Sequence, residues 1–379
     1  MEKFIELIKD MHDECYETVL QKLFANQIQV AILSVVDVKS VVETAKNFRK
    51  QLNITHFITL PEVMPEKTSD IDFEFISVYD AINQHFRPEY IFTLDITDAR
   101  FAAKHFPASK ILYPERKNTT EIYDTFISNL PALKKVYDAL IDEESRETFR
   151  GYWLGNVSNQ LNKIRHTENP HYLTPGFIPE RGAVVIDVGS YDGGTCLRFT
   201  ERGFKVYGFE MDKNLFGHAA KVAKENNFVV ENCGLGSHKH EAKYLPLNGG
   251  STHLDDDGSE VAQIITLDSY VREKNISRVD LIKLDVEGAE LDVLKGAAVT
   301  IAQFKPILLI SAYHKWDDFW ILSEFVKKLN PEYEFAMRQY RVSIEDEPFA
   351  VDENYQRQLA LLGLDPCYKN FNECVLLAR

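Results

Sequence analysis

Apolar positions near the start of the chain recur at helical spacing: Phe4, Leu7, Ile8 and Met11, then Val19, Leu20 and Leu23. Residues three and four apart share one helix face, so an amphipathic helix is expected over residues 3–25. The pattern then changes. Residues 29–35 form a compact apolar run that reads as a buried strand, 41–52 as a helix and 55–60 as a second strand. Strand patterns at 73–78 and 90–94, a helix at 99–106 and a strand at 110–113 continue the alternation. Strands alternating with helices imply a parallel sheet covered on both faces. The turn after the first strand, Ser34-Val-Val-Asp-Val38, has no glycine to let backbone N–H groups approach a pyrophosphate. Residues 1–117 are therefore expected to form a small Rossmann-like α/β domain without a phosphate-binding turn, used for packing or partner recognition.

Residues 118–180 read as a helical connector. Ser145-Arg-Glu-Thr148 fits a capping box only loosely, because its third following residue is Thr. Pro170, Pro175 and Pro179 rule out a continuous helix and mark a domain boundary. Beyond it, residues 181–379 again alternate. Strands are expected at 183–187, 205–210, 228–232, 280–285 and 307–311, with helices at 195–202, up to 224, and 291–304. Residues 248–259 read as irregular, and 333–341 with 373–378 as a closing antiparallel pair. The fold class expected is α/β, a mostly parallel Rossmann-like sheet preceded by the smaller α/β domain.

Composition narrows the function. The 379 residues suit two domains, and 45% hydrophobic with 27% charged residues suits a globular chain with a sizeable core. The formal net charge of −15, from 58 acidic and 43 basic residues, argues against a nucleic-acid partner, which needs a basic face. A small-molecule partner is favoured. Cys15, Cys196, Cys233, Cys367 and Cys374 form no C-x-x-C pair and read as reduced thiols. The first residues lack a signal peptide's apolar core, and no apolar run approaches the ~20 residues of a membrane span. A cytoplasmic location is expected, and a homo-oligomer is left open.

Two constellations carry chemistry. In the first, Asp187 ends a strand and Gly189, Gly193 and Gly194 crowd the turn into the next helix. That helix start presents unpaired N–H groups suited to a carboxylate. Glu210, 23 residues after Asp187, stands at the tip of the second strand, where an acid accepts hydrogen bonds from both ribose hydroxyls of an adenosine cofactor. The spacing Gly189-Ser-Tyr-Asp-Gly193 departs from the G-x-G-x-x-G of dinucleotide sites. Asp192 would repel a diphosphate but suits an ammonium. S-adenosylmethionine, with an ammonium and a carboxylate, is thus favoured over NAD. The second constellation is Lys283-Leu-Asp-Val-Glu-Gly-Ala-Glu290, with Asp285 at the carboxyl end of the fourth strand. Three acids within six residues are costly to bury together, so some must face a cleft, a cation or solvent. Lys283 is a candidate counter-charge.

The run Val184 to Thr195, the Gly208-Phe-Glu210 strand end, Lys283 to Glu290, and Ile310-Ser-Ala-Tyr-His-Lys-Trp-Asp-Asp-Phe-Trp320 together resemble the FkbM family of methyltransferases. The resemblance covers about 200 residues, from near Tyr172 onward. It implies a class I methyltransferase fold and methylation of hydroxyl groups on sugars, polyketides or other small molecules. It implies cofactor contacts from Asp187, Gly189, Ser190, Asp192, Gly193 and Glu210, with Asn232 on the adenine side. Asp285 and Glu287 would lie near the sulfonium and the acceptor.

O-methylation needs the acceptor proton removed. His314 is the candidate base because an unperturbed imidazole titrates near neutrality, with Asp285 as runner-up. A divalent ion on Asp285 and Glu287 is a third reading, but no spacing demands a metal and none is expected. Trp153, Tyr172, Trp316 and Trp320 are candidates for stacking on a sugar. An NAD-dependent oxidoreductase and a non-catalytic binding module are the competing readings.

Overall fold

The structure is a computed structural model that describes residues 1–10, 15–48, 51–66, 73–113, 119–158, 163–246, 253–255, 257–340, 361–364 and 373–379. The chain forms two compact units. One comprises Met1–Leu130, Phe149–Arg165 and Asp352–Phe371; the other Pro131–Thr148, His166–Val351 and Asn372–Arg379. No described helix is long and apolar enough to cross a membrane.

The first unit holds β1 (Gln29–Leu33), β2 (Asn53–Thr59), β3 (Glu74–Ser77), β4 (Tyr90–Phe92) and β5 (Lys110–Leu112). They form one parallel sheet in the order β3-β2-β1-β4-β5. Alternation along β1 feeds two cores. Ile32 packs with Val41, Val42, Ala45 and Phe57, while Val30 packs with Val19, Leu23, Tyr90 and Leu112. The expected helix over 3–25 is two helices, Glu2–Asp10 and Tyr16–Phe24, with Cys15 extended (ψ 138°) before the second; Met11 lies outside the described residues. The helix expected from residue 99 starts earlier, at Ile96, because the Asp95 carboxylate accepts the Thr97 N–H at 2.7 Å. The strand expected to reach residue 78 stops at Ser77, whose hydroxyl accepts the Asp80 N–H at 3.0 Å and caps a helix, Val78–Asn83, that the sequence reading lacks.

In the connector the helices are Thr119–Ser128, Leu130–Ala139 and Glu143–Ser158. Ser145 is not a cap. Asp142 takes that role and accepts the Ser145 N–H at 2.7 Å.

The second unit contains β6 (Val184–Val188), β7 (Lys205–Phe209), β8 (Val229–Glu231), β9 (Gly234–Leu235), β10 (His240–Leu245), β11 (His253–Leu254), β12 (Glu260–Ile265), β13 (Leu281–Leu284), β14 (Ile307–Ser311), β15 (Phe335–Gln339) and β16 (Cys374–Ala378). Seven of these form a sheet in the order β15-β16-β14-β13-β6-β7-β8. Its strands are parallel except β16, which runs antiparallel to β14 and β15, as the closing pair requires. A second sheet, β11-β10-β12-β9, occupies a stretch the sequence left largely unassigned. Within it, Leu254 pairs with Tyr244 although 248–259 read as irregular; residues 247–252 and 256 lie outside the described residues.

The helix expected over 291–304 is two, Glu290–Gly296 and Ala298–Phe304. A Cβ on Gly296 would fall 1.9 Å from the Gly236 carbonyl oxygen, so that contact admits only glycine. Among the described residues, Cys15, Cys196, Cys233 and Cys374 form no disulfide; Cys367 lies outside the described residues.

In the seven-stranded sheet β6 is an interior strand, and the chain crosses over to β7 on one side and β13 on the other. Open α/β sheets bind ligands at the carboxyl ends of the strands flanking such a switch point.

Candidate active site

The turn after β6 is built against β13. Gly189 has φ +74°, and a Cβ there would lie 1.8 Å from the Asp285 carbonyl oxygen. Only glycine permits both the conformation and the approach. The N–H groups of Gly189 and Ser190 both donate to the Phe209 carbonyl at 3.0 Å, tying the turn to the end of β7. Tyr191, also left-handed at φ +51°, donates its N–H to Glu210 Oε2 at 2.9 Å. The Asp212 N–H donates to Glu210 Oε1 at 2.8 Å.

Glu210 is thus fixed at the tip of β7 with one oxygen on the turn. It is only 6% exposed, and burial pushes its pKa up to about 7 against the pull of those two donors. Asn232 donates to the carbonyls of Glu210 (3.0 Å) and Met211 (3.2 Å), so it holds the loop that carries Glu210. Gly208, which belongs to the strand end that carries the resemblance, packs closely beneath the turn. A Cβ there would lie 2.8 Å from Cys196 Sγ and 3.2 Å from the Ser190 side chain.

The next helix, Gly194–Glu201, begins after Gly193 at φ +88°. Asp192 Oδ1 accepts the Gly194 N–H at 2.9 Å, while Oδ2 is buried with no hydrogen-bond partner. Burial raises the Asp192 pKa. The Ser190 hydroxyl is likewise buried and unpartnered.

Asp187 turns inward. Its side chain is wholly buried, 3.1 Å from Lys283 Nζ, and its other oxygen accepts from the Cys196 thiol at 3.1 Å. Lys283 also donates to the Gly189 carbonyl at 2.7 Å. Burial opposes a charge on Lys283, but Asp187 and Asp285 outweigh it and raise its pKa. The expected counter-charge role of Lys283 therefore lies mainly with Asp187. The pair braces the turn from beneath.

Against this turn, Asp285 lies just past β13. Tyr172 donates to Oδ2 at 3.0 Å and Tyr313 to Oδ1 at 3.2 Å. Burial acts to raise its pKa, but Lys283, then His314 and the Tyr172 hydroxyl, hold it below the ordinary range. Nothing in sequence spacing brings Tyr172, in the left-handed region at φ +60°, to a residue 113 positions away. The acidic block divides as burial energetics demand. Glu290 goes fully inside, with Oε1 accepting the N–H groups of Val286 (3.1 Å) and Gly288 (3.3 Å). Asp285 and Glu287 stay partly open. Glu287 itself has φ +52°.

His314 sits among all three acids: Nδ1 is 2.9 Å from Glu290 Oε1, and Nε2 is 3.4 Å from Glu287 Oε2 and 3.7 Å from Asp285 Oδ1. Burial would neutralise the ring, but these carboxylates outweigh it and push its pKa up to about 9. A base titrating near neutrality was expected at His314; these carboxylates shift its titration upward from that range. Asp285, Glu290 and His314 also bring ligand atoms within 4.8 Å of one another, a grouping with Glu290 where the third reading had Glu287.

Of the stacking candidates, Trp153 is buried in the first unit against Phe126 and Phe149. Tyr172 is 1% exposed and committed to Asp285. Neither presents a face to an acceptor.

Residues 187–341 match the family model described as the methyltransferase FkbM domain. The sequence matches no curated protein. Among solved structures, the methyltransferase FkbM of Methylobacillus flagellatus KT aligns at TM-score 0.62 and 16% identity, over 100% of this chain and 98% of that one. At that identity the likeness is one of fold. The Aeropyrum pernix fibrillarin solved with S-adenosyl-L-methionine aligns at TM-score 0.30 and 11% identity, over 53% of this chain and 67% of its own. The precorrin-6Y C5,15-methyltransferase of Geobacter metallireducens GS-15 aligns at TM-score 0.30 and 10% identity, over 53% and 80%. With the family match lying on the strands and turns that build the cleft, the chain carries a methyltransferase FkbM domain at residues 187–341.

Proposed function

We propose that the second unit binds S-adenosylmethionine and methylates a hydroxyl group of a small molecule, a sugar being the leading class. The observation that carries this reading is the pair of buried acids around one glycine turn, Glu210 and Asp192. Glu210 suits the two ribose hydroxyls, and its ionised form is the better acceptor for them. Asp192 keeps a buried oxygen without a partner, which an ammonium would satisfy and a diphosphate would repel. The adjoining N-terminus of helix Gly194–Glu201 suits the carboxylate of the same ligand. The absence of a side chain at Gly189 and Gly193 lets the turn pack closely against Asp285 and Ala219, which fixes the position of Asp192 between them. A nicotinamide dinucleotide fits this charge pattern poorly. Asp187 and Asn232 serve the site indirectly, through Lys283 and through the Glu210 loop.

When bound, S-adenosylmethionine supplies an electrophilic methyl group on a sulfonium. The chain's part is to position an acceptor oxygen in line with it and to take the hydroxyl proton. Glu287 is assigned the proton, because it is partly open and borders the cleft beside Asp285. Asp285, held ionised between two tyrosine hydroxyls, orients the acceptor. His314 lies among the carboxylates of Asp285, Glu287 and Glu290. Incubation with methyl-labelled cofactor and a panel of hydroxylated acceptors tests the reading. Label in a sugar or other alcohol, lost in Glu287→Gln, supports it. A protein that binds adenosylhomocysteine yet labels no member of the panel speaks against it.

A further inference from the structure

We propose that Asp285, Glu290 and His314 form a divalent-cation site beside the methyl-transfer position, suited to Mn2+ and able to hold the acceptor oxygen. The proposal rests on the reading of this cleft as a methyl-transfer site, and it goes beyond that reading by assigning a metal and a chelating acceptor.

Three separate elements deliver the ligands. Asp285 follows β13, Glu290 opens the helix Glu290–Gly296, and His314 follows β14. Their ligand atoms lie within 4.8 Å of one another. Adjacent ligands in an octahedral shell with bonds of about 2.1 Å stand roughly 3 Å apart. The 2.9 Å from His314 Nδ1 to Glu290 Oε1 is such an edge.

A simple ion pair leaves two features unexplained. Glu290 is fully buried, and its Oε2 has no hydrogen-bond partner. Neither ring nitrogen of His314 makes an aligned hydrogen bond, despite 9% side-chain exposure and three acids around it. The first shortfall is a buried oxygen lacking a positive partner; the second is a ring whose close contacts are not hydrogen bonds. A cation between the groups would answer both, since coordination follows lone-pair directions and needs no N–H aimed at an oxygen.

Charge counting agrees. Asp285, Glu287 and Glu290 surround one imidazole. Lys283, the nearest lysine behind Asp285, already pairs with Asp187, and Lys315 donates to the Gly288 carbonyl. Two carboxylates with one imidazole form a mixed oxygen and nitrogen set that suits Mn2+ better than the all-oxygen sites of Ca2+. Because Asp285 and Glu287 are partly open, coordination positions remain for water and for the acceptor. A cation there would lower the pKa of the acceptor hydroxyl it holds, leaving Glu287 to take the proton. It would favour acceptors that chelate through two adjacent oxygens, such as a vicinal diol.

The test uses the full chain, freed of metal with a chelator, titrated with Mn2+ while the free-ion electron paramagnetic resonance signal is followed. One Mn2+ per chain is expected, with affinity falling at least tenfold in both His314→Gln and Asp285→Asn. Glu260→Gln, at an exposed carboxylate of the same unit, should leave binding unchanged. Melting curves for each variant separate a lost site from a lost fold, and either folded variant suffices. No Mn2+ uptake by the folded wild-type chain, or uptake unchanged in a folded variant, overturns the proposal. Adenosylhomocysteine binding, measured on the metal-free chain, is a separate readout. Its failure alongside His314-dependent Mn2+ binding would reject the methyl-transfer reading and keep the cation site.

Discussion

The strands β3-β2-β1-β4-β5 of the first unit and β8-β7-β6-β13-β14 of the second follow the same order, with the first strand central and a crossover on each side. Their first turns are filled differently. After β1, the N–H groups of Val35 and Val36 both donate to Asp98 Oδ1, at 2.8 and 3.2 Å. Asp98 comes from the helix after β4, is fully buried, and is pushed by that burial up to about 7. After β6, the matching acid is Glu210, which comes from the neighbouring strand tip and takes only the Tyr191 N–H from the turn. A turn of valines cannot sink against the adjacent strand, and its backbone donors are satisfied by the protein's own carboxylate. A turn with Gly189 can, and its acid borders the cleft. Shared topology thus provides a switch point twice, and turn composition decides how each first turn packs and which acid meets its backbone donors.

Variants that disturb the open turn should produce the largest effects. Lys283→Met leaves the Asp187 carboxylate buried beside a thiol alone, and removing one partner of such a pair costs about 3–5 kcal/mol. Thermal or denaturant unfolding should show a collapse in stability, and a variant as stable as wild type would break the bracing role. Gly189→Ala drives a Cβ into the Asp285 carbonyl at a left-handed residue, for about 3 kcal/mol, with adenosylhomocysteine binding lost in whatever fraction folds. Retained binding there would show that the turn tolerates a side chain.

The closed turn gives the smallest effect. Asp98→Asn keeps an acceptor for Val35 and Val36 but removes the titration. Asp98 and Glu210 both hold their protons more tightly folded than unfolded, so each withdraws stability as pH rises from about 4 to about 7, and neither does so further above that. Melting temperatures of Asp98→Asn should therefore fall less between pH 5 and 7 than those of wild type, with cofactor affinity untouched. An unchanged slope would remove Asp98 as a source of the pH dependence.

Much of this was legible in the chain. Compact apolar runs separated by helical periods mark the five- and seven-stranded sheets, and Gly189, Glu210 and Asp285 stand out because glycines and acids occupy strand ends. The four-stranded sheet was not legible. In β10, Glu241 and Lys243 face solvent and alternate with apolar positions, so no apolar run announces it. Helix boundaries shifted wherever a local cap, such as Asp95 or Asp142, decided the start. In the cleft, side-chain direction was the hidden quantity. Asp187 and Glu210 both end strands, yet one points into the core and the other to the turn. The protonation of His314 depends on Glu290, which sequence distance places 24 positions away and the fold places at 2.9 Å.

The most direct test of the central claim is calorimetric titration of adenosylhomocysteine into the wild-type chain and Glu210→Ala. Binding is predicted in the wild type, with affinity rising as pH passes about 7 and Glu210 ionises. In Glu210→Ala it should weaken by about 1.5–3 kcal/mol, the scale of hydrogen bonds to a charged group, and the pH dependence should flatten. No binding to the wild type, or equal affinity in the variant, would contradict the assignment of this turn to S-adenosylmethionine.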